Sequence, residues 1–331
     1  MKSLEVNDLQ MHYKLASGKM VRAIDGVNFG VDEKKTTALI GESGCGKSSI
    51  GKTLLRILPE NGEIIGGSVL FNQDNKKPID LLTLPEKEMV RIRGRKITMV
   101  FQGAMSSFNP VYRVGDQITE GIIFHEQASK AEAMEKARKM FELVGIDPGR
   151  MRDYPHQYSG GMRQRAVIAM ALITNPKLII ADEPTTALDL IVQDQILQQI
   201  KRIQGELGMS MIFISHDISV AFEVSDRVVI MYAGKIVEDS SKHTIFKHPL
   251  HPYTQGLLRS HFDIKGGKKK LSGIPGEAPN LIEPVSGCRF ADRCPIAKER
   301  CRKSEPELVE KKGDHWVACH FAEEVDLGEH K

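Results

Sequence analysis

The stretch "TTALIGESGCGKSSIGKTLLRIL", residues 36 to 58, decides the fold of this chain. Residues 36–40 form a short β-rich run, and the residues from Lys47 onward have helical spacing. Between them, residues 41–48 fit the pattern GxxxxGK[ST]. The glycines of such a loop let backbone N–H groups approach phosphates, Lys47 reaches the β- and γ-phosphate oxygens, and Ser48 can ligate Mg²⁺. The stretch therefore predicts a strand, a phosphate-binding loop and a helix.

The carboxylates that such a site needs follow another predicted strand. Near-continuous apolar runs occur at residues 96–101, 177–182 and 209–215, which is typical of strands covered on both faces of a parallel sheet. The second run ends in Asp182, and Glu183 follows it. Ligands bind at the carboxyl edge of a parallel sheet. Asp182 is predicted to hold the Mg²⁺ shell through water, and Glu183 to orient or deprotonate the attacking water.

An amphipathic helix is predicted over residues 127–145. Ser129 and Glu132 have the spacing of a capping box at its start, and Gly145 ends it. Its buried stripe is interpreted as packing alone, and it comprises Ala133, Ala137, Met140 and Val144.

Composition excludes several classes of protein. The chain is 41% hydrophobic, which allows a large core, and its length of 331 residues indicates two domains. The 46 Lys and Arg against 43 Asp and Glu lack the excess expected of a protein that binds phosphate backbones. The longest apolar run, residues 166–173, is far shorter than the roughly 20 residues that span a bilayer. Any membrane role is therefore expected to come through a partner. The first residues lack an apolar export segment, so we expect the thiols to be reduced.

The stretch "YSGGMRQR" at residues 158–165 resembles the signature sequence of ABC transporter ATPases. In that family the signature serine and glycines contact the γ-phosphate of ATP that is bound to the opposite subunit. The resemblance gives this role to Ser159, Gly160 and Gly161, which precede a predicted helix whose N-terminus would face the phosphate. The phosphate loop before it and "ADEPTTALD" after it make the pattern specific.

Other positions take their roles from the same resemblance. Gln102 looks like the Q-loop glutamine, which senses Mg²⁺ and water and couples to the membrane subunit; Asp189 resembles the D-loop aspartate at the dimer interface. His216 looks like the switch histidine at the γ-phosphate, and Tyr13 resembles the aromatic residue that stacks on adenine. The predicted catalytic residues are Glu183, His216 and Gln102, and the Mg²⁺ site comprises Ser48, Gln102 and Asp182. The predicted nucleotide-binding residues are Tyr13, Ser43, Gly44, Cys45, Gly46, Lys47, Ser48, Ser49, Gln102, Asp182, Ser159, Gly160, Gly161 and Asp189.

The resemblance narrows to ATP-binding subunits of dipeptide or oligopeptide importers. It rests on "FQGAMSSFNPVYRVGDQI", "HPYTQGLL" and "GIPGEAPNLIEPVSGCRFADRCP". It implies an α/β fold with a P-loop ABC ATPase core, in which a parallel sheet is joined by an antiparallel β subdomain and a helical subdomain. That nucleotide-binding domain is expected over residues 1–245, and a small C-terminal domain with four cysteines over residues 246–331.

The implied function is ATP hydrolysis that powers the import of dipeptides or oligopeptides. The implied partners are two transmembrane permease subunits, a second homologous ATPase subunit that forms a heterodimer, and, indirectly, an extracytoplasmic substrate-binding protein. No nucleic acid partner is expected. The implied location is peripheral, at the cytoplasmic face of the cell membrane.

Three alternatives stay open at this point. Importers of nickel or other small solutes belong to the same branch, and the ATPase never touches the cargo. A DNA-repair or chromosome-type ABC ATPase shares the phosphate loop and the signature. However, the stretch between Gln102 and Ser159 leaves no room for the long arm that those proteins usually insert there. An iron–sulfur sensor in which ATP is secondary is the third alternative.

Four cysteines lie near the end of the chain, at Cys288, Cys294, Cys301 and Cys319. Four thiols suffice to hold one iron–sulfur cluster or one metal ion. The tight CxxC pairs of structural zinc are absent, so the spacing favours the larger cofactor, and the resemblance supports a [4Fe-4S] cluster. A zinc site that uses His315 and His320, disulfides, and unligated cysteines remain alternatives. The expected role is structural, since ligation can supply folding free energy to a small region.

Overall fold

The computed structural model describes residues 1–73, 77–103, 107–186, 188–262, 274–282 and 286–323. The strands are β1 (Lys2–Lys14), β2 (Met20–Asp32), β3 (Thr36–Ile40), β4 (Gly62–Phe71), β5 (Ile79–Asp80), β6 (Ile97–Val100), β7 (Leu178–Asp182), β8 (Ser210–Ser215), β9 (Arg227–Tyr232), β10 (Lys235–Ser241), β11 (Val309–Glu310) and β12 (Trp316–Val317). The helices are α1 (Lys47–Leu54), α2 (Glu86–Ile92), α3 (Val114–Glu126), α4 (Lys130–Leu143), α5 (Gly160–Leu172), α6 (Leu190–Leu207), α7 (Ile218–Val224), α8 (Lys242–Lys247), α9 (Pro252–Phe262) and α10 (Glu299–Lys303). Within the described ranges, no helix has both the length and the apolar character that crossing a bilayer requires.

The chain divides into two compact units. The first unit contains Met1–Ser3, Val31–Thr36 and Asn72–Phe213. The second contains Leu4–Gly30, Thr37–Phe71 and Ile214–Lys331. Each unit is therefore built from segments that are distant in sequence.

The first unit contains parallel strands and a group of packed helices. β6 pairs in parallel with β7, from Ile97 opposite Leu178 to Val100 opposite Ala181, and β8 lies on the other side of β7. Every residue of β7 is buried, as the predicted apolar run requires. Helices α3, α4 and α5 pack on one another, and α5 contains all but the last residue of the longest apolar run. The strands predicted at residues 96–101, 177–182 and 209–215 are thus confirmed within about one residue at each end.

Helix α4 confirms the predicted amphipathic helix and its capping box. Ser129 Oγ accepts a hydrogen bond from Glu132 N at 3.3 Å, and Glu132 Oε2 accepts one from Ser129 N at 2.9 Å. The predicted stripe of Ala133, Ala137, Met140 and Val144 is buried. Phe141, which the prediction omitted, is fully buried beside Met140. Gly145 has φ +68°, a left-handed conformation suited to glycine just after a helix.

Replacing Ser129 with alanine is expected to lower the free energy of unfolding by about 1 kcal/mol, because the change removes the side-chain half of the capping box. Urea denaturation followed by circular dichroism measures this effect. Ser129→Thr keeps a hydroxyl acceptor and serves as the matched control, with a midpoint close to that of the unaltered protein. Equal losses in both variants would assign the effect to packing instead of capping.

The second unit combines an antiparallel sheet with a mixed sheet. In the antiparallel sheet β1 lies between β2 and β4, and its pairing with β4 runs from Leu4 opposite Phe71 to Tyr13 opposite Gly62. In the mixed sheet β3 is parallel to β9, and β10 is antiparallel to β9. The C-terminal strand β12 then pairs with β10, and β11 pairs with β12. The end of the chain therefore extends the same sheet that leads into residues 41–48.

Candidate functional site

The phosphate loop, residues 41–48, lies between β3 and α1 as predicted. β3 is buried along its whole length, and α1 begins at Lys47. Gly46 has φ +108°, and a Cβ added there would lie 2.2 Å from the carbonyl oxygen of Ala23. Only glycine fits this position, because any side chain would collide with fixed backbone in a conformation that L residues rarely adopt. The loop thus has the tight, backbone-lined form that suits an anion site at a helix N-terminus.

Lys47 lies within the loop. Its side chain is buried, and Nζ donates to the carbonyl oxygens of Gly41 at 2.7 Å and Glu42 at 2.9 Å. The ammonium is therefore held beside the backbone N–H groups of the loop, where it can attract phosphate oxygens. Cys45 is buried between these residues, and burial raises the pKa of its thiol. The side chain of Cys45 therefore fills space inside the loop.

Tyr13 contacts the start of α1. It lies near the end of β1, and its hydroxyl is 3.0 Å from the hydroxyl of Ser49, in the first turn of α1. The structure thus brings together two residues that the sequence analysis placed in the nucleotide site. Stacking of Tyr13 on adenine stays a prediction.

In the first unit, Gln102 and Glu183 meet at the carboxyl ends of β6 and β7. Gln102 Nε2 donates to Glu183 Oε2 at 2.9 Å, and Thr186 Oγ1 donates to the same oxygen at 3.0 Å. Glu183 has φ +47°, which is uncommon for a residue with a side chain. Asp182, the last residue of β7, is buried. The carboxylate of Glu183 is thus held by an amide and a hydroxyl. Thr186 is not among the predicted site residues, although a hydroxyl shortly after "DEP" was the available signal.

Two helix N-termini in the first unit carry the other predicted contacts. Ser159 caps α5 by accepting from Met162 N at 3.3 Å, and Asp189 caps α6 by accepting from Val192 N at 2.9 Å. A Cβ added to Gly161 would lie 2.8 Å from Val192 Cγ1, so the two helix starts pack closely only because residue 161 is glycine. Ser159 and Asp189 are exposed.

His216 follows β8 in the second unit and is exposed. The next residue, Asp217, caps α7 by accepting from Ser219 N at 2.8 Å.

Of the predicted site, the first unit contains Gln102, Ser159, Gly160, Gly161, Asp182, Glu183 and Asp189. The second unit contains Tyr13, the phosphate loop, Ser49 and His216.

The four C-terminal cysteines line one cavity, which we call the cysteine cavity. Cys288, Cys294, Cys301 and Cys319 share it with buried His251 and with apolar residues, and its volume of about 10 Å³ has room for about one water molecule. All five cysteines of the chain are free thiols. Burial, with a smaller contribution from the neighbouring cysteines, raises the pKa of Cys288 to about 11. Burial likewise raises the pKa of Cys319 to about 11.

The two histidines of the zinc alternative each contact another protein group. His315 is buried, with Nε2 2.7 Å from Oε1 of fully buried Glu238, and it does not line the cysteine cavity. His320 does line the cavity, but its Nε2 is 2.9 Å from the carbonyl oxygen of Ser304. In the part of the chain that the structure describes, no group of three or more His, Cys, Asp or Glu side chains is arranged to hold a metal ion. The geometry of these residues therefore gives no support to a zinc site built with His315, and the iron–sulfur cluster stays a prediction.

The chain is similar to known transport proteins over most of its length. Residues 24–186 match the family model of the ABC transporter, and residues 237–301 match that of the oligopeptide/dipeptide transporter, C-terminal region. The chain is 46% identical to the probable peptide ABC transporter ATP-binding protein y4tR of Sinorhizobium fredii, over 97% of this chain and 96% of the relative. It is 46% identical to the oligopeptide transport ATP-binding protein OppD of Bacillus subtilis, over 95% of this chain and 87% of the relative.

A third relative, 41% identical over 97% of both chains, is the dipeptide transport ATP-binding protein DppD of Caldanaerobacter subterraneus. Among solved structures, the fold is similar to the dimeric, post-hydrolysis structure of the ATP-binding cassette MJ0796 with ADP and Pi. The TM-score is 0.63 and the identity 27%, over 72% of this chain and 98% of that chain.

Proposed function

The chain belongs to the ABC transporter ATPases, and from this premise we propose that its ATP hydrolysis powers the import of dipeptides or oligopeptides through a membrane transporter. The main support for a peptide cargo is the match of residues 237–301 to the oligopeptide/dipeptide transporter, C-terminal region. Relatives named for peptide, oligopeptide and dipeptide transport are similar over nearly the whole chain. Nickel or another small solute is the alternative cargo.

Nucleotide binding is assigned to the phosphate loop. Lys47 and the backbone N–H groups of Ser43, Gly44, Cys45 and Gly46 bind the phosphates, and Tyr13 stacks on the adenine. Ser48, Gln102 and Asp182 are the residues that would hold Mg²⁺, which supplies charge neutralisation on the β- and γ-phosphates. The support is the buried ammonium of Lys47 within a loop that leads into a helix N-terminus.

Hydrolysis is assigned to Glu183. Its carboxylate accepts a proton from the attacking water, or orients that water, while Gln102 and Thr186 keep the carboxylate in place. His216 contacts the γ-phosphate. The support for Glu183 is its position at the end of a fully buried strand, in a backbone conformation that the surrounding structure must enforce.

A second, homologous ATPase subunit completes the site. Ser159, Gly160 and Gly161 contact the nucleotide of that partner, and Asp189 lies at the interface. The support is that both helix caps are exposed, and that Leu190 and Ile191 beside Asp189 are 83% and 73% exposed. Apolar side chains at such exposure beside a polar cap suit burial by another chain. Two permease subunits, an indirectly linked substrate-binding protein and a peripheral position at the cytoplasmic face of the membrane complete the proposed assembly.

The C-terminal region, proposed as residues 246–331 beside a nucleotide-binding domain of residues 1–245, is assigned a [4Fe-4S] cluster. Cys288, Cys294, Cys301 and Cys319 are the proposed ligands, and ligation would tie their segments together. The support is that the four thiols line one cavity. The role is structural, because ligation can supply folding free energy to a small region. Redox sensing is the alternative.

Purification of the complex from its native membrane tests the assembly and the cargo. We expect two different ATPase chains per complex, and a binding protein whose bound ligand, identified by mass spectrometry, is a peptide. Adding the loaded binding protein is expected to raise ATP hydrolysis above that with the empty binding protein. A single kind of ATPase chain would contradict the heterodimer, and bound nickel would contradict the peptide cargo while leaving the ATPase assignment intact.

A further inference from the structure

Glu42, in the phosphate loop, is held by an arginine from residues 288–302, which we call the cysteine-rich segment. Arg293 directly precedes Cys294, and its guanidinium makes two hydrogen bonds to Glu42, of 2.7 Å to Oε2 and 2.8 Å to Oε1. The Arg293 side chain is 6% exposed, and it also donates to the carbonyl oxygens of Ile274 and Pro275. Such a bidentate pair is directional and stronger than a neutral hydrogen bond. The side chain of Glu42 is therefore fixed from outside the loop.

The backbone of Glu42 is held by a tyrosine. Glu42 N donates to the hydroxyl of Tyr253 at 2.9 Å, and Tyr253 is fully buried. The carbonyl oxygen of Glu42 accepts from Lys47 Nζ at 2.9 Å. Glu42 thus accepts from Lys47 at its carbonyl oxygen and from Arg293 at its carboxylate, and it donates its N–H to Tyr253.

Aromatic rings connect this contact to the cysteine cavity. Phe290, between Cys288 and Cys294, lines the cavity and packs on Tyr253 and Tyr232 with ring centroids 5.4 and 5.2 Å apart. His251, which also lines the cavity, accepts at Nδ1 from Tyr253 N at 3.1 Å. The residues that hold Glu42 are therefore packed directly against the wall of the cysteine cavity.

A second arginine of the same segment, Arg302, forms an ion pair that does not involve the phosphate loop. Arg302 directly follows Cys301 and pairs with Asp292 at 2.5 Å, but these side chains are 60% and 87% exposed. Exposed pairs of this kind contribute little, whereas removing one partner of a buried pair leaves an uncompensated charge. Both arginines lie beside a cysteine, but Arg293 contacts the phosphate loop at Glu42, whereas Arg302 contacts Asp292 at the surface.

We propose that Arg293 and Tyr253 are positioning residues for ATP binding, and that they link the order of the cysteine-rich segment to the phosphate loop through Glu42. The nucleotide role of the loop rests on the proposed function. Because binding linkage is reciprocal, ATP that favours the ordered loop also favours the ordered cysteine segment.

A double-mutant cycle on the full chain tests the pair. The ATP affinity is measured by calorimetry for Arg293→Gln, Glu42→Gln and the double variant, with Arg302→Gln as the matched control. We expect each single change to weaken ATP binding about tenfold, which corresponds to about 1.4 kcal/mol, and the double variant to bind no more weakly than the single ones. The control should bind as the unaltered chain does. The rate at saturating ATP should fall much less than the affinity, which a general loss of structure would not produce.

Cys294→Ser tests the link to the cavity. Its ATP affinity should fall several-fold, and adding Arg293→Gln to it should cause little further loss. Additive losses, or ATP affinity unchanged in Arg293→Gln, would overturn the proposal. An unaltered chain that binds no ATP would instead overturn the proposed function, so the two failures are distinguishable. If Cys294→Ser does not fold, the cycle between Arg293 and Glu42 still decides the positioning role.

Discussion

Replacing Glu183 with glutamine is expected to leave ATP binding intact and to reduce ATP hydrolysis by roughly 10²- to 10⁴-fold, the usual contribution of a positioned general base. The amide oxygen of glutamine can still accept from Gln102 and Thr186, whose donors now meet one carboxylate oxygen at 2.9 and 3.0 Å. The geometry therefore survives, whereas the ability to take a proton from water is lost. Phosphate release and equilibrium ATP binding, measured on the same preparation, separate the two effects.

Glu206→Gln is the matched control for this experiment. Glu206 pairs with Arg202 at 3.0 Å on the surface of α6, with about half of each side chain exposed. Its removal should change neither binding nor hydrolysis, since exposed pairs contribute little. Normal hydrolysis by Glu183→Gln would contradict the assignment of Glu183. A loss of ATP binding by the same variant would show that the change disturbs the site instead of the chemistry.

Changing any one of Cys288, Cys294, Cys301 or Cys319 to serine is expected to bleach the anaerobically purified protein. The unaltered protein should be brown and contain about four irons per chain, because a [4Fe-4S] cluster is held by four thiolates. The four thiols line one cavity, so each substitution removes one of the four proposed ligands. Visible absorption and iron analysis measure the result.

Cys45→Ser provides the control for cysteine loss, because Cys45 is the remaining thiol and lies in the phosphate loop. Its iron content should equal that of the unaltered protein. Colourless protein with stoichiometric zinc, or with no metal, would contradict the cluster. ATP hydrolysis at saturating ATP that survives the loss of the C-terminal cysteines would exclude a sensor in which ATP is secondary.

The amino-acid sequence determined the elements whose evidence is local. β3, the phosphate loop and the start of α1 were predicted because strand propensity, loop glycines and helical spacing lie within a few residues of one another. The capping box at Ser129 was predicted for the same reason, since its two partners are only three residues apart. Asp182 and Glu183 were located because they follow the apolar residues of a predicted strand, which ends at Asp182.

Only the tertiary structure decided which distant residues meet. Glu42 and Arg293 are 251 positions apart, and no spacing rule joins them. The sequence suggested His315 as a zinc ligand, but the pairing of β10 with β12 brings it 2.7 Å from Glu238. The physical reason is that such contacts depend on which distant segments the fold brings together, as the pairing of β10 with β12 does here. Local patterns record the period and ends of single elements, but they carry no information on which element becomes the neighbour.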